Sequence, residues 1–320
     1  MPLYLVPSVS ASSSGPLPAA GRVACRCCPG GVSRSRRPRR YPSDMSEAEW
    51  AVIEPLLPVP GWTLGKGGSP GRYCRRDIVD GIRYLTHNGP VWRALPADLP
   101  HWRTVYHYVR AWQAGGATRR LHDDLREQVR VLAGRRPSPT AACIDSQSVK
   151  GADTVGKASR GFDAGKKIEG RKRHIAVDVM GLLLCVVVTA ASVQDRDAAR
   201  PLLWQLAAGF RGVTLVWADG GYAGKLVSWV KGTLHRRVQI IKRSDLPGFH
   251  ILPRRWVVER TFGWIMKHRR CVRDYERLPD HHETYIYWSM IHIMTARLAR
   301  RHAPAPVAPA PAPASLLQAA

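Results

Sequence analysis

"RHIAVDVMGLLLCVVVTAAS", residues 173–192, contains two apolar stretches separated by a short break at Asp178 to Gly181. Its longest uninterrupted part, "MGLLLCVVVTAA" at 180–191, is 12 residues, whereas a membrane-spanning helix needs about 18 or more. Short runs rich in Val, Ile and Leu on either side of a glycine predict a hairpin of two buried strands.

The same reading extends in both directions. "TAACIDSQSV" at 140–149, "VTLVWADGG" at 213–221 and "VQIIKR" at 238–243 have strand character, while "RDAARPLLWQLAAG" at 196–209, "GKLVSWVKGTL" at 224–234 and a long region from Pro253 have helical character. Three strands followed by alternating helices and strands predict an α/β fold, with a mixed five-stranded sheet covered on both faces.

Upstream of "GRRPSPTA", a linker at 134–141, the signals are helical. Ser46 and Glu49 have the spacing of a capping box, and Trp50, Ile53, Leu56 and Leu57 follow until Pro58 and Pro60 end the helix. "CRRDIVDGIRYLTHNG", "VWRALP" and "PHWRTVYHYVRAWQAGG" then predict a helix, a short helix and a basic helix. In the last, Trp102, Val105, Tyr106, Val109 and Trp112 form one stripe, with Arg103, His107 and Arg110 opposite. This is the outline of a helix-turn-helix contacting DNA, and equally that of a helical bundle with a solvated cationic face. The expected organisation is a disordered basic arm at 1–44, a helical DNA-binding domain at 45–136, a catalytic domain at 137–300 and a disordered Ala/Pro tail at 301–320. Met45 is an alternative start of translation.

Lys and Arg number 49 against 24 Asp and Glu, a net charge of +25, which favours a polyanionic partner, nucleic acid or an acidic membrane surface. The first twenty residues lack the pattern of a secretory signal, and seven cysteines, mostly far apart, suit a reducing interior. Cys25 and Cys28 have CxxC spacing, but no second Cys or His pair is near in sequence, so no metal is expected there.

Three acids stand out in this cationic chain. Asp145 interrupts an apolar strand near its start, and Asp219 stands where a strand ends and the chain turns through two glycines, so both are expected at a sheet edge. Taken singly, each is more often a turn or capping residue. Glu259 lies in "WVVERTFGWIMKHRR" at 256–270. At about 100° per residue it projects onto the seam between Val258, Phe262, Ile265 and Met266 and a basic side formed by Arg260, Lys267 and Arg270. An ion pair with Arg255, one turn earlier, is the structural alternative. Asp178 is expected to serve strand geometry and Asp195 and Asp197 to cap a helix. The loop "RGFDAGKKIEGRKRH" at 160–174, with Asp163 among its cations, suits either phosphate contact or plain solvation.

Together "YPSDMSEAEWAVIEPLLP", "CIDSQSVK", "GFDAGKKIEGRKRHIAVDVMGLLL", "VTAASVQDRDAA", "WADGGYAGK" and "RRWVVERTFGWIMKHRRCVRDYE" resemble a bacterial insertion-sequence transposase of the DDE class, insertion-sequence family five. The likeness runs in order across residues 41–297. It implies a ribonuclease-H-like core whose Asp, Asp, Glu triad falls on Asp145, Asp219 and Glu259, separated by 74 (219 − 145) and 40 (259 − 219) residues. It further implies two Mg²⁺ (or Mn²⁺) ions at those carboxylates, with phosphate contacts by Arg255, Lys267 and the cluster Lys166, Lys167, Arg171, Lys172 and Arg173. Two departures concern accessory positions: Leu252 stands where the family often has Tyr, and Lys267 lies eight rather than seven residues beyond the Glu.

The expected function is therefore binding of the element's terminal inverted repeats, followed by metal-dependent cleavage and strand transfer. The partners would be double-stranded DNA, at element ends and target, and further copies of the chain. A cytoplasmic, nucleoid-associated bacterial location follows, with no membrane. The competing readings are a non-catalytic DNA-binding regulator derived from a transposase and a metal-dependent nuclease without joining activity.

Overall fold

The computed structural model describes residues 25, 28, 38–66, 71–241 and 253–302. Other than Cys25, Cys28 and residues 38–44, the expected basic arm lies outside the described residues, as does the Ala/Pro tail beyond His302.

Helix α1 (Glu47–Ile53) starts at the expected box: the Ser46 hydroxyl accepts from the Glu49 N–H, and the Glu49 carboxylate accepts from the Ser46 N–H. Helices α2 (Arg75–Asn88), α3 (Trp102–Ala114) and α4 (Ala117–Leu132) follow, with the short 3₁₀ turn Trp92–Ala94 between α2 and α3. The α2–α3 crossing is close, since a Cβ on Gly81 would stand 3.0 Å from Val105.

The sheet begins with β1 (Ala141–Lys150), then the three-residue β2 (Gly161–Asp163), β3 (Ile168–Val177) and β4 (Leu183–Ala190). After α5 (Asp195–Gly209) come β5 (Leu215–Ala218), the short α6 (Lys225–Trp229) and β6 (Arg237–Ile240). The predicted hairpin is β3–β4, antiparallel, and its turn is fixed by Asp178. That buried carboxylate accepts from the Met180 and Leu182 N–H groups and pairs with Arg130 of α4. Gly181 adopts φ +81° there, and a side chain would strike Thr261 and Trp264, so only glycine lets the turn pack under the later helix.

Five strands run in the order β4–β3–β1–β5–β6, antiparallel at β4–β3 and β3–β1 and parallel at β1–β5 and β5–β6. The sixth, β2, pairs with the first residues of β3, one short strand more than expected. The long region from Pro253 divides into α7 (Pro253–Met266), a 3₁₀ turn at Arg269–Cys271 and α8 (Pro279–His302). The result is the mixed, helix-flanked sheet of a ribonuclease-H-like fold.

Alternation along the strands sends side chains into two cores. Ala142, Ile144, Ala176 and Leu184 pack with Leu202, Leu203 and Leu206 of α5. Cys143, Ile175 and Val177 pack with Val258, Phe262 and Ile265 of α7. The second core continues without a break through Trp288, Met290 and Ile291 of α8 into Trp50, Ile78, Ile82 and Val105. Helix α8 touches α1, α2, α4, α7 and β4, which explains why it is apolar on several sides. The N-terminal helices and the sheet thus share one interior.

Candidate active site

Asp145 is the fifth residue of the ten in β1, so it sits in mid-strand rather than near the strand's start. It belongs to the Cys143 side of the sheet, the side that α7 covers. Pairing of β1 with β5 ends at Cys143↔Trp217. Asp145 stands two residues further along β1, and Asp219 follows directly after Ala218, where β5 stops. Asp219 caps the 3₁₀ turn Gly220–Tyr222 by accepting from the Gly221 N–H at 2.9 Å, and Asp145 accepts from the Ser146 N–H at 2.7 Å. Both carboxylates are partly exposed.

Glu259 is exposed on α7 while Val258, Phe262 and Ile265 are buried. The predicted seam is real on its apolar side. The basic side is not as projected, because α7 ends at Met266 and positions beyond it leave the helical wheel. Arg270 turns inwards to an ion pair with Glu276 at 2.6 Å. Arg260 donates to the Met180 carbonyl and stacks between Trp256 and Trp264. Lys267 is exposed; the side chain of Arg255, and with it the expected pair to Glu259, lies outside the described residues, as does Leu252.

Tyr222, 1% exposed in the core on the α5 side of the sheet, interacts electrostatically with both aspartates, and it is a residue that sequence reasoning did not single out. Burial, and then the charges of Asp145, Asp195 and Asp219, push its phenol well above the ordinary range, so it stays protonated. The signal was an aromatic three residues after Asp219 on a turn leaving a buried strand. Asp195 departs from expectation as well. Gln194 is the N-cap of α5, and the Asp195 carboxylate instead accepts from the Ser146 hydroxyl at 2.8 Å and pairs with Lys172 at 3.1 Å. Lys172 also reaches Asp163. Asp163 accepts from Ser148 and from the Lys166 N–H, and these bonds with the Lys172 charge outweigh desolvation and lower its pKa.

Of the expected phosphate contacts, Lys166 and Lys167 are exposed. Arg171 and Arg173 are corrections: both are fully buried. Arg171 binds Asp274 and the carbonyls of Glu276 and Arg277, and Arg173 binds Gln147 and the Cys271 carbonyl. Lys172, 6% exposed, is likewise committed within the protein. On α3 the division is as predicted for Arg103 and His107, which are exposed, and for buried Val105, Val109 and Trp112. Arg110 is half-buried, and Tyr106 of the apolar stripe is 39% exposed.

The carboxylates of Asp145, Asp219 and Glu259 supply only hard oxygen donors, the set that fits Mg²⁺ or Mn²⁺ rather than a soft metal. They are not drawn as close together as two other groups among the described residues, Cys25/Cys28/Cys74 and His87/His268/His292, whose ligand atoms lie within 4.8 Å of one another. In the histidine group burial depresses His268 to about 4 and His292 to about 2, as expected of neutral, packed rings.

The chain is similar to known transposase families and proteins. The family described as "Transposase DDE domain" matches residues 136–294, and that described as "Putative transposase of IS4/5 family" matches residues 45–122. Two proteins of Burkholderia cepacia are similar. "Insertion element IS402 uncharacterized 16.2 kDa protein" is 35% identical over 105 residues, 32% of this chain and 69% of that protein. "Putative transposase for insertion sequence element IS402" is 33% identical over 132 residues, 37% of this chain and 59% of that protein. A DDE domain implies a DNA substrate and dependence on a divalent metal, and among the described residues no helix is long and apolar enough to cross a membrane. With a DDE domain over the sheet and an IS4/5 module over the N-terminal helices, the chain belongs to the DDE transposases of the IS4/5 insertion-sequence family.

Proposed function

We propose that the protein binds the terminal inverted repeats of its own element through α3, and cuts and joins DNA at a centre formed by Asp145, Asp219 and Glu259. The observation that carries this reading is that Asp145 stands in β1 and Asp219 directly after the end of its parallel neighbour β5, with α7, the helix that bears Glu259, packed on β1, β3 and β5. Two divalent ions, Mg²⁺ or Mn²⁺, would be held by these carboxylates. When bound, they would supply activation of a water or 3′-hydroxyl and stabilisation of the leaving oxygen. The chain's own part is positional. Strand β1 and the turn after β5 fix the two aspartates, Tyr222 stays a neutral phenol in the core close to them, and exposed Lys166, Lys167 and Lys267 attract the phosphate backbone. Strand transfer at two ends favours a homo-oligomer on DNA.

Incubating the protein with DNA bearing its element's ends and Mg²⁺ is expected to give end-specific cleavage and joined products, both stopped by a chelator. Binding without cleavage in either Mg²⁺ or Mn²⁺ would identify a regulator, and cleavage without joining a nuclease. Replacing Arg103 and Arg110 of α3 by Ala should weaken end binding and make the log–log salt dependence shallower by about 0.9 for each phosphate that is no longer neutralised. An unchanged slope in a gel-shift titration would remove α3 as the DNA-facing helix.

A further inference from the structure

Two cysteines from the N-terminal segment meet a third across 49 residues of chain. The Sγ atoms of Cys25 and Cys74 are 3.6 Å apart, and those of Cys25, Cys28 and Cys74 all lie within 4.8 Å of one another. The three residues are 2%, 3% and 2% exposed, in the core that holds Met45 and Ile78. The Cys28 N–H donates to the Cys25 carbonyl, which holds the two residues together.

We infer that Cys25, Cys28 and Cys74 form a thiolate site for a zinc-class divalent ion, which fastens the N-terminal segment to the start of α2. A tetrahedral ion with metal–sulfur bonds of about 2.3 Å places its sulfurs about 3.8 Å apart, the scale of the observed group. Three thiols converging on one point cannot all pair as disulfides. By contrast Cys143, Cys185 and Cys271, also buried, belong to no such group among the described residues. The setting also favours negative sulfur. Cys74 is the N-cap of α2, where the helix dipole stabilises anionic groups, and the Arg76 guanidinium interacts with it electrostatically. A fourth donor would complete the tetrahedron. The CxxC pair looked isolated in the sequence because its partner comes from a separate helix. Closing a loop this long by a metal lowers the entropy of the unfolded chain and so stabilises the fold. None of these residues belongs to the carboxylate centre, so the inference stands independently of the proposed catalysis.

The test uses the full chain, purified under reducing conditions without chelator. About one zinc per chain should survive gel filtration, and exchange for Co²⁺ should give the near-ultraviolet thiolate-to-cobalt charge-transfer absorption, which carboxylate ligands do not produce. Cys28→Ser and Cys74→Ser should each lose the zinc equivalent and the absorption, while Cys143→Ser and Cys185→Ser keep both. Absence of the thiolate absorption in the unmodified protein supplied with Co²⁺ would overturn the site without recourse to any variant. Its persistence in both Cys28→Ser and Cys74→Ser would do the same.

Discussion

Asp219→Asn is expected to reduce DNA strand cleavage by at least about a thousandfold, with end binding changed by no more than a few-fold. Metal-assisted stabilisation of charge in such a transition state amounts to several kcal/mol, and about 4 kcal/mol corresponds to three powers of ten in rate. Asn is the informative replacement. Its carbonyl oxygen can still accept from the Gly221 N–H that Asp219 caps, so the turn and Tyr222 remain in place and only the charge is removed. Asp145→Asn should behave alike, since it too keeps an acceptor for the Ser146 N–H. Binding does not suffer, because losing an anion beside phosphates removes repulsion. The measurement is single-turnover cleavage of end DNA in Mg²⁺, with gel-shift affinity and the melting transition as controls. Metal-dependent cleavage persisting at the original rate in Asp219→Asn would dismiss this aspartate as a ligand.

What the sequence made legible was whatever is encoded locally. The β3–β4 hairpin, the capping box at Ser46 and Glu49, and the two-sided character of α3 follow from periodicities over a few residues, and the structure reproduces them. Asp219 was legible because a strand, an acid and two glycines are consecutive. The departures concern partners distant along the chain. Arg171 and Arg173 stand in a cationic run that looks like a solvated loop, yet they occupy β3, and their acceptors include residues 103 and 98 positions away. Arg270 projects onto a helix that has already ended. Asp195 has an N-terminal helical position, but its hydroxyl partner comes from β1, 49 residues earlier. Net charge has the opposite bias, since counting cations says nothing about which are neutralised inside the fold.

Arg171 offers the sharpest separation between a structural cation and a DNA-binding one. Its guanidinium donates to Asp274 at 2.9 Å, to the carbonyls of Glu276 and Arg277 at 2.8 Å each, and to the Ser159 hydroxyl and carbonyl at 2.6 and 3.2 Å. Arg171 and Asp274 are both fully buried. The other Asp274 oxygen accepts from the Glu276 N–H, and its backbone bonds with Lys150 and Ala152 tie the segment after α7 to the end of β1. Removing one member of such a pair strands the other charge away from water, which typically costs about 3–5 kcal/mol. Arg171→Ala should therefore lower the urea midpoint by an amount corresponding to about that loss. Arg171→Lys should recover little, because a single ammonium cannot reproduce a planar fork with five donors. Pairing Arg171→Met with Asp274→Leu should restore part of the stability by removing both buried charges at once. A phosphate-binding arginine would give the reverse pattern: an unchanged urea midpoint, weaker DNA binding and a shallower salt slope.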